Sequence, residues 1–281
     1  MINSVKGIKK YSNEYEPILI NACGEFDNYK KDLTSLNIKV LDLTSLSYHK
    51  YLPYKGFILS RMSFIVIFLI SFLPLLFLIK SRNPTYFISH LITSLPIIIS
   101  NILNNNTKYI LRISGLPRMT FLRNFLWKMS EKKLFKIFCP TTATMNHLIL
   151  NKVFPKEKIN LLRDPVINIS KVNKKKKEVH KNENYFVCIG RLTKQKNFSI
   201  VIDNYKKILQ IDNDLKLYII GEGEDYYLLK DKIYKNNLEK NIFLIGYRKN
   251  IFKYLQNARF FLLSSLWEDP GWVLIEAAAS N

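Results

Sequence analysis

Short apolar runs alternate with longer stretches of helical period through the second half of the chain. Residues 185–190 (YFVCIG), 215–221 (LKLYIIG), 241–246 (NIFLIG) and 258–265 (ARFFLLSS) read as strands. Stretches near 197–211, 225–236, 251–257 and from Gly271 onward carry apolar residues three and four apart, the spacing of one helix face. A strand apolar along its whole length is buried on both faces, as in a parallel sheet covered by helices. The repeated strand–helix order predicts a doubly wound α/β domain. The first half repeats the pattern less clearly. Its candidate strands are 17–22, 37–43, 85–89, 108–113 and 136–140, and its helices include 119–132 and 142–150. Residues 170–184 (SKVNKKKKEVHKNEN) hold no apolar run and read as an exposed linker. The chain therefore divides into a first domain at 1–168, a linker at 169–184 and a second domain at 185–281, with a cleft expected between the domains.

One stretch departs from this pattern. Residues 62–79 (MSFIVIFLISFLPLLFLI) carry no charge, with Arg61 before them and Lys80 and Arg82 after. Their length only just reaches that of a membrane span. Pro74 interrupts them, and strand-like TYFIS follows at once. The expectation is a helix of a soluble domain, buried or dipped into a membrane interface, rather than a span. The first eleven residues are polar and basic and do not read as a secretory leader.

Composition narrows the function. Among 281 residues, 48% are hydrophobic and 13% aromatic, enough for a packed core and too much for a disordered chain. Cys23, Cys139 and Cys188 form no metal or disulfide spacing and read as reduced thiols of a cytoplasmic protein. The formal charge is +21, which calls for an anionic partner. Lys outnumbers Arg 34 to 9, and basic residues are not interleaved with aromatics in a repeat, so nucleic acid is not the expected partner. A phosphorylated ligand or an anionic membrane surface remains. The basic amphipathic stretch 116–136 (LPRMTFLRNFLWKMSEKKLFK) favours the membrane as one contact of the first domain.

In open parallel sheets, ligands bind beyond the carboxyl ends of the strands. The tips of the second half deliver Gly190, Arg191 and Lys196; then Gly221-Glu222-Gly223; then Tyr247 and Arg248; then Glu268 and Gly271. Two cations at one tip suit a diphosphate, Arg by its two-pronged fork and Lys as a point charge. A helix opening at Gly271 presents free N–H groups to an anion. Glu268 and Glu276 can accept hydrogen bonds from vicinal hydroxyls. Phosphate flanked by polyols describes a nucleotide-sugar.

The stretches GRLTKQKN (190–197), GEGED (221–225), IGYR (245–248) and EDPGWVLIE (268–276), in this order and at successive tips, resemble the retaining glycosyltransferases of family 4. The last matches the E-x7-E element of that family. The resemblance implies the GT-B fold, two Rossmann-like domains facing a cleft, with the donor held mainly by the second. It implies that Gly190, Arg191, Lys196, Glu222, Gly271, Trp272 and Glu276 bind the donor, Arg191 and Lys196 at its diphosphate and Glu276 at its ribose. Glu268 and His90 would be the catalytic pair, Glu268 touching hydroxyls of the donor sugar. The implied reaction moves a sugar from a nucleoside-diphosphate-sugar to an acceptor hydroxyl with retention. The acceptor would be a glycan or lipid-linked glycan of cell-surface polysaccharide or lipopolysaccharide assembly, on the inner face of the plasma membrane. No metal and no cofactor are expected, because the two cations take the role of a metal and no Asp-x-Asp pair sits at a tip.

Departures from the family are also visible. RDPVI (163–167) stands where an N-G-V-D-like turn is usual. The family begins with a strand and a Gly-rich loop before the point where Met1 enters, and continues beyond the E-x7-E helix. A piece incomplete at both ends is therefore expected, with both domains short of elements. Two competing readings follow: an inactive relic of such an enzyme, and a membrane-associated interaction protein built around residues 62–79.

Overall fold

A computed structural model of the protein describes residues 1–53, 57–90, 95–165, 167, 169, 172, 184–268 and 271–280, without the side chains of 57, 58 and 60. The chain divides into two compact units, Met1–Pro165 and Val166–Asn281. The linker read at 169–184 lies, apart from 169, 172 and 184, outside the described residues.

In the first unit the order is α1 (Ile2–Tyr11), β1 (Ile18–Asn21), α2 (Lys30–Thr34), β2 (Lys39–Asp42), α3 (Phe57–Arg82), β3 (Tyr86–His90), α4 (Leu95–Ile102), β4 (Lys108–Arg112), α5 (Phe121–Ser130), β5 (Leu134–Cys139), α6 (Thr142–Leu150) and β6 (Ile159–Leu161). β1 pairs with β2, and β3-β4-β5-β6 form a second sheet, all parallel. β4 is central in that sheet, and its last four residues are buried. Leu111 and Ile113 meet Ile137 of β5, Trp127 of α5, Leu148 of α6 and Ile97 and Ile99 of α4 in one core. Helix starts follow from local chemistry. Thr120 accepts from Arg123 N at 3.4 Å and caps α5, and Thr141 accepts from Thr144 N at 3.1 Å and caps α6.

The second unit holds β7 (Tyr185–Ile189), α7 (Phe198–Leu209), β8 (Lys216–Ile220), α8 (Tyr226–Lys235), β9 (Ile242–Gly246), α9 (Phe252–Asn257) and α10 (Trp272–Ala278). Its sheet runs β7-β8-β9, again parallel. All five residues of β7 are buried. Phe186 and Cys188 face α7 and α8, whereas Tyr185, Val187 and Ile189 face α9 and α10. Alternate side chains thus enter two cores, which is why this strand shows no polar face in sequence. The architecture is the expected doubly wound α/β pattern.

The structure differs from expectation at three places. The stretch 258–265 is not a full strand. It runs parallel to β7 only around the Val187–Phe261 bridge, where Leu262 N donates to Val187 O at 3.0 Å. Beyond that point Ser264 donates to Lys196 O and Ser265 to Glu268, and the chain turns away from the sheet. Of the two placements expected for residues 62–79, burial is not the one observed. They belong to a 26-residue helix, α3, that passes through Pro74 without ending. Only 17% of its most apolar stretch is buried, although Leu75 and Ile79 enter the core. The basic N-terminal residues, in which the sequence pattern marks no element, form α1. That helix buries no residue fully but packs Ile2 and Val5 against Leu19, Leu33 and Ile38.

Candidate functional site

The tips of β7, β8 and β9 are tied together by backbone hydrogen bonds. Gly190 N donates to Ile220 O at 3.0 Å, Gly221 N to Gly246 O at 3.1 Å and Leu192 N to Glu222 O at 3.0 Å. The approach is so close that side chains are excluded. A Cβ on Gly221, whose φ is +150°, would stand 1.8 Å from Gly190 O, and one on Gly223 would stand 2.2 Å from Leu192 O. This is the physical content of the GEG triplet. Without it the loop after β7 could not rest on the loop after β8.

The loop after β7 then reaches the stretch that leads into α10. Leu266 N donates to Gln195 O at 2.9 Å, and the Gln195 side-chain amide returns to Trp267 O at 3.0 Å. Between these bonds and the sheet, Lys196 Nζ meets Glu268 Oε1 at 2.5 Å. Both side chains are largely buried, 12% and 17% exposed. Ser265 Oγ donates to the same carboxylate oxygen at 2.5 Å. The aliphatic stem of Lys196 lies against Gly190, with its Cε 3.0 Å from the place a Cβ would take. The ammonium is thus held by its stem and by its counter-charge, and its three N–H groups leave capacity for a further acceptor.

Of the residues expected in the site, the structure brings Gly190, Arg191, Lys196, Glu222 and Glu268 together on these linked loops. Arg191 is exposed, and its guanidinium forms no ion pair among the described residues. Glu222 is exposed and accepts from Tyr247 N at 3.4 Å. Gly271 sits against Glu268, its Cβ position 3.4 Å from the side chain of that residue, and opens α10. Trp272 starts the helix at 45% exposure. Glu276 is half-buried one turn further on, ~6 Å along the axis. Asp269 and Pro270 lie outside the described residues.

His90 belongs to the other unit. It ends β3 beside Arg112 of β4. Arg112 is buried, pairs with Asp164 and also donates to Leu162 O. Burial first, then the positive chain terminus and Arg112, push the His90 imidazole down to about 4. It is therefore neutral at physiological pH and can both donate and accept a hydrogen bond. The residues 91–94 that follow it lie outside the described residues.

Sequence reading missed Gln195 and Ser265, which fix the carboxylate loop. Their signal was faint: a polar pair, Ser264-Ser265, closing an otherwise apolar run, and an amide beside a lysine.

The chain is similar to known glycosyltransferases. Residues 170–281 match the family model described as Glycosyl transferases group 1. An uncharacterized glycosyltransferase of Methanocaldococcus jannaschii is 27% identical over 231 residues, 73% of this chain and 55% of that protein. The N-acetylgalactosamine-N,N'-diacetylbacillosaminyl-diphospho-undecaprenol 4-alpha-N-acetylgalactosaminyltransferase of Campylobacter jejuni is 26% identical over 197 residues, 66% and 52% of the two chains. The chain spans about half the length of these curated relatives. Among solved structures, a glycosyltransferase of Rickettsia africae superposes with a TM-score of 0.68 at 17% identity, covering 99% of this chain and 72% of that one. Anabaena HepE, solved in complex with UDP, gives 0.66 at 14% identity, covering 99% and 74%.

Proposed function

We propose that this chain, which matches the group 1 glycosyltransferase model at residues 170–281, is a GT-B glycosyltransferase that moves a sugar from a nucleoside-diphosphate-sugar to an acceptor hydroxyl with retained anomeric configuration. The observation that carries the proposal is the Lys196–Glu268 pair, set beside the exposed Arg191 on the linked loops at the strand tips. Lys196 and Arg191 are the cations for the donor diphosphate. Glu268, the lysine's partner, accepts hydrogen bonds from hydroxyls of the transferred sugar, and Glu276 accepts from the ribose. One ammonium touching both carboxylate and phosphate fixes the sugar and its leaving group relative to each other.

The proposed reaction breaks the bond between the anomeric carbon and the diphosphate oxygen and forms one from that carbon to the acceptor oxygen on the same face. The acceptor's proton passes to the departing phosphate oxygen. Negative charge builds on the diphosphate as it leaves, and preorganised donors of this kind are each worth about 3–4 kcal/mol in the transition state. Arg191 and Lys196 supply that stabilisation, so no metal ion and no cofactor are part of the proposal. His90, neutral at the end of β3 beside Arg112, is proposed as the second catalytic residue.

The acceptor proposed is a lipid-linked or cell-surface glycan, handled at the cytoplasmic face of the membrane. The Campylobacter relative is named for a diphospho-undecaprenol-linked sugar, and others for poly(ribitol-phosphate) and capsular polysaccharide, which supports this class. The deciding experiment is a panel of nucleotide-sugars offered to the chain, read by release of free nucleoside diphosphate. Release from one donor, lost in Arg191→Ala, is expected. A chain that binds no member of the panel contradicts the proposal and leaves the relic reading standing.

A further inference from the structure

We propose that the first unit docks side-on to an anionic lipid bilayer through α3, with α5 as a second contact. The proposal rests on the membrane-face location proposed above and names the surface that provides it. Met62, Ile65, Leu69, Leu73 and Phe77 are 53%, 50%, 68%, 57% and 62% exposed. Steps of three and four residues place them in one stripe, ~22 Å long along the helix axis. An apolar stripe of this length calls for a covering surface. On the other side of the helix, Leu75 and Ile79 enter the unit's core and Phe68, Phe72 and Leu76 pack against it. A helix fastened along one flank to a parallel sheet cannot be ringed by lipid, because the polar backbone of that unit would follow it into the hydrocarbon. The strongly apolar stretch 61–82 therefore belongs to a helix that lies in the interface, half embedded.

The charge of the surroundings selects the occupant. Residues 43–130 contain no Asp or Glu and ten Lys and Arg. Arg61 stands at one end of the stripe, and Lys80 and Arg82 at the other. α4 packs between α3 and α5, so the exposed Phe121, Leu122 and Phe125 of α5 belong to the same helical layer, with Arg118 and Lys128 beside them. A second copy of the chain would bring an identical cationic surface against this one and be repelled. An anionic headgroup layer over acyl chains matches both the apolar stripe and its basic rim.

The test is flotation of the full chain with vesicles of phosphatidylglycerol and phosphatidylethanolamine against vesicles of phosphatidylcholine alone. Each basic side chain near an anionic surface contributes roughly a factor of five, so the three that flank α3 predict binding on the order of 100-fold tighter to the anionic vesicles. Leu69→Glu with Leu73→Glu should abolish flotation, whereas Leu228→Glu, an equally exposed apolar residue of the second unit, should leave it intact. Because the altered leucines are exposed, the circular dichroism and melting of the variant should match the parent, and its binding of nucleotide should be unchanged. A parent that binds vesicles but no nucleotide defeats the transfer proposal and leaves this one standing. A parent that binds nucleotide but no vesicle does the reverse. Flotation of the double variant equal to the parent's overturns the docking surface. So does a lipid-free dimer that the double variant dissociates. Cysteines introduced as Leu59→Cys and Ser81→Cys should both react with an impermeant reagent outside sealed vesicles, and protection of one alone would establish a span instead.

Discussion

Replacing Lys196 by Met separates what the Lys196–Glu268 pair does for the fold from what it does for a ligand. Methionine keeps the stem that lies against Gly190 and removes the charge. Glu268, 17% exposed and accepting from Lys196 and Ser265 at 2.5 Å each, would keep only the serine. Breaking a fully buried pair costs about 3–5 kcal/mol, because the remaining charge is stranded. Residual exposure of both side chains reduces this to about 2 kcal/mol. For a unit of this size that corresponds to roughly 8 °C in its melting temperature. The second variant carries Lys196→Met together with Glu268→Leu. It removes both charges, strands neither, and should recover all but about 0.5–1 kcal/mol. Binding of nucleoside diphosphate should not recover, because the cation is still missing. The assays are urea unfolding of the parent and both variants, followed by calorimetric titration with nucleotide. Equal stability of the parent and the single variant would mean that the two charges do not meet. Nucleotide binding restored in the double variant would mean that Lys196 serves the fold alone.

Arg191→Ala should lower sugar transfer by about 10²–10³-fold, the scale of losing one charge-stabilising donor, with stability within about 0.5 kcal/mol of the parent, checked by initial rates and unfolding of the same preparation. Gly221→Ala should destabilise the second unit by more than about 3 kcal/mol on the scale of severe backbone strain, since its Cβ would meet Gly190 O at 1.8 Å, whereas Gly246→Ala, with open space around it and only a φ of +76° to strain, should cost about 1 kcal/mol, both read by urea midpoint. His90 titrates near 4 in the folded chain against 6.5 in the unfolded one, so the unfolded state takes up more protons between those values and stability should fall as pH drops from about 6.5 to 4. Partial exposure limits this to about 2 kcal/mol, with Arg112 and the chain terminus opposing the proton and Asp164 favouring it; a pH series on His90→Gln should be flatter by that amount.

The fold was legible where a segment's environment leaves a one-dimensional trace. β7 is sandwiched between two cores, so all five of its residues are apolar, and α7 carries one buried stripe through Phe198, Val201, Ile202 and Tyr205. The same rule misled at 258–265, where apolar content persists but Ser264 donates to Lys196 O and Ser265 to the Glu268 carboxylate, and the pairing ends. β6 is three residues long, too short for periodicity to register. α3 shows the opposite difficulty. Apolar residues surround it, so composition could not distinguish the face against the core of Leu111 and Ile137 from the face turned outward. In the candidate site, residue types and order were readable because three of the four tips follow a recognisable strand, β7, β8 and β9. The joining of Lys196 to Glu268, 72 residues apart, and its reinforcement through Gln195 and Ser265 depend on how two loops fold back over one sheet.

Calorimetric titration of the chain with UDP, GDP and ADP, repeated on Arg191→Ala, addresses the central claim without requiring an acceptor. One nucleotide is expected to bind, and loss of a guanidinium able to donate two charge-assisted hydrogen bonds to a phosphate should weaken that binding by about 100-fold. Binding of no nucleoside diphosphate, or equal binding by parent and variant, would contradict the assignment of the linked loops of the second unit as a diphosphate site.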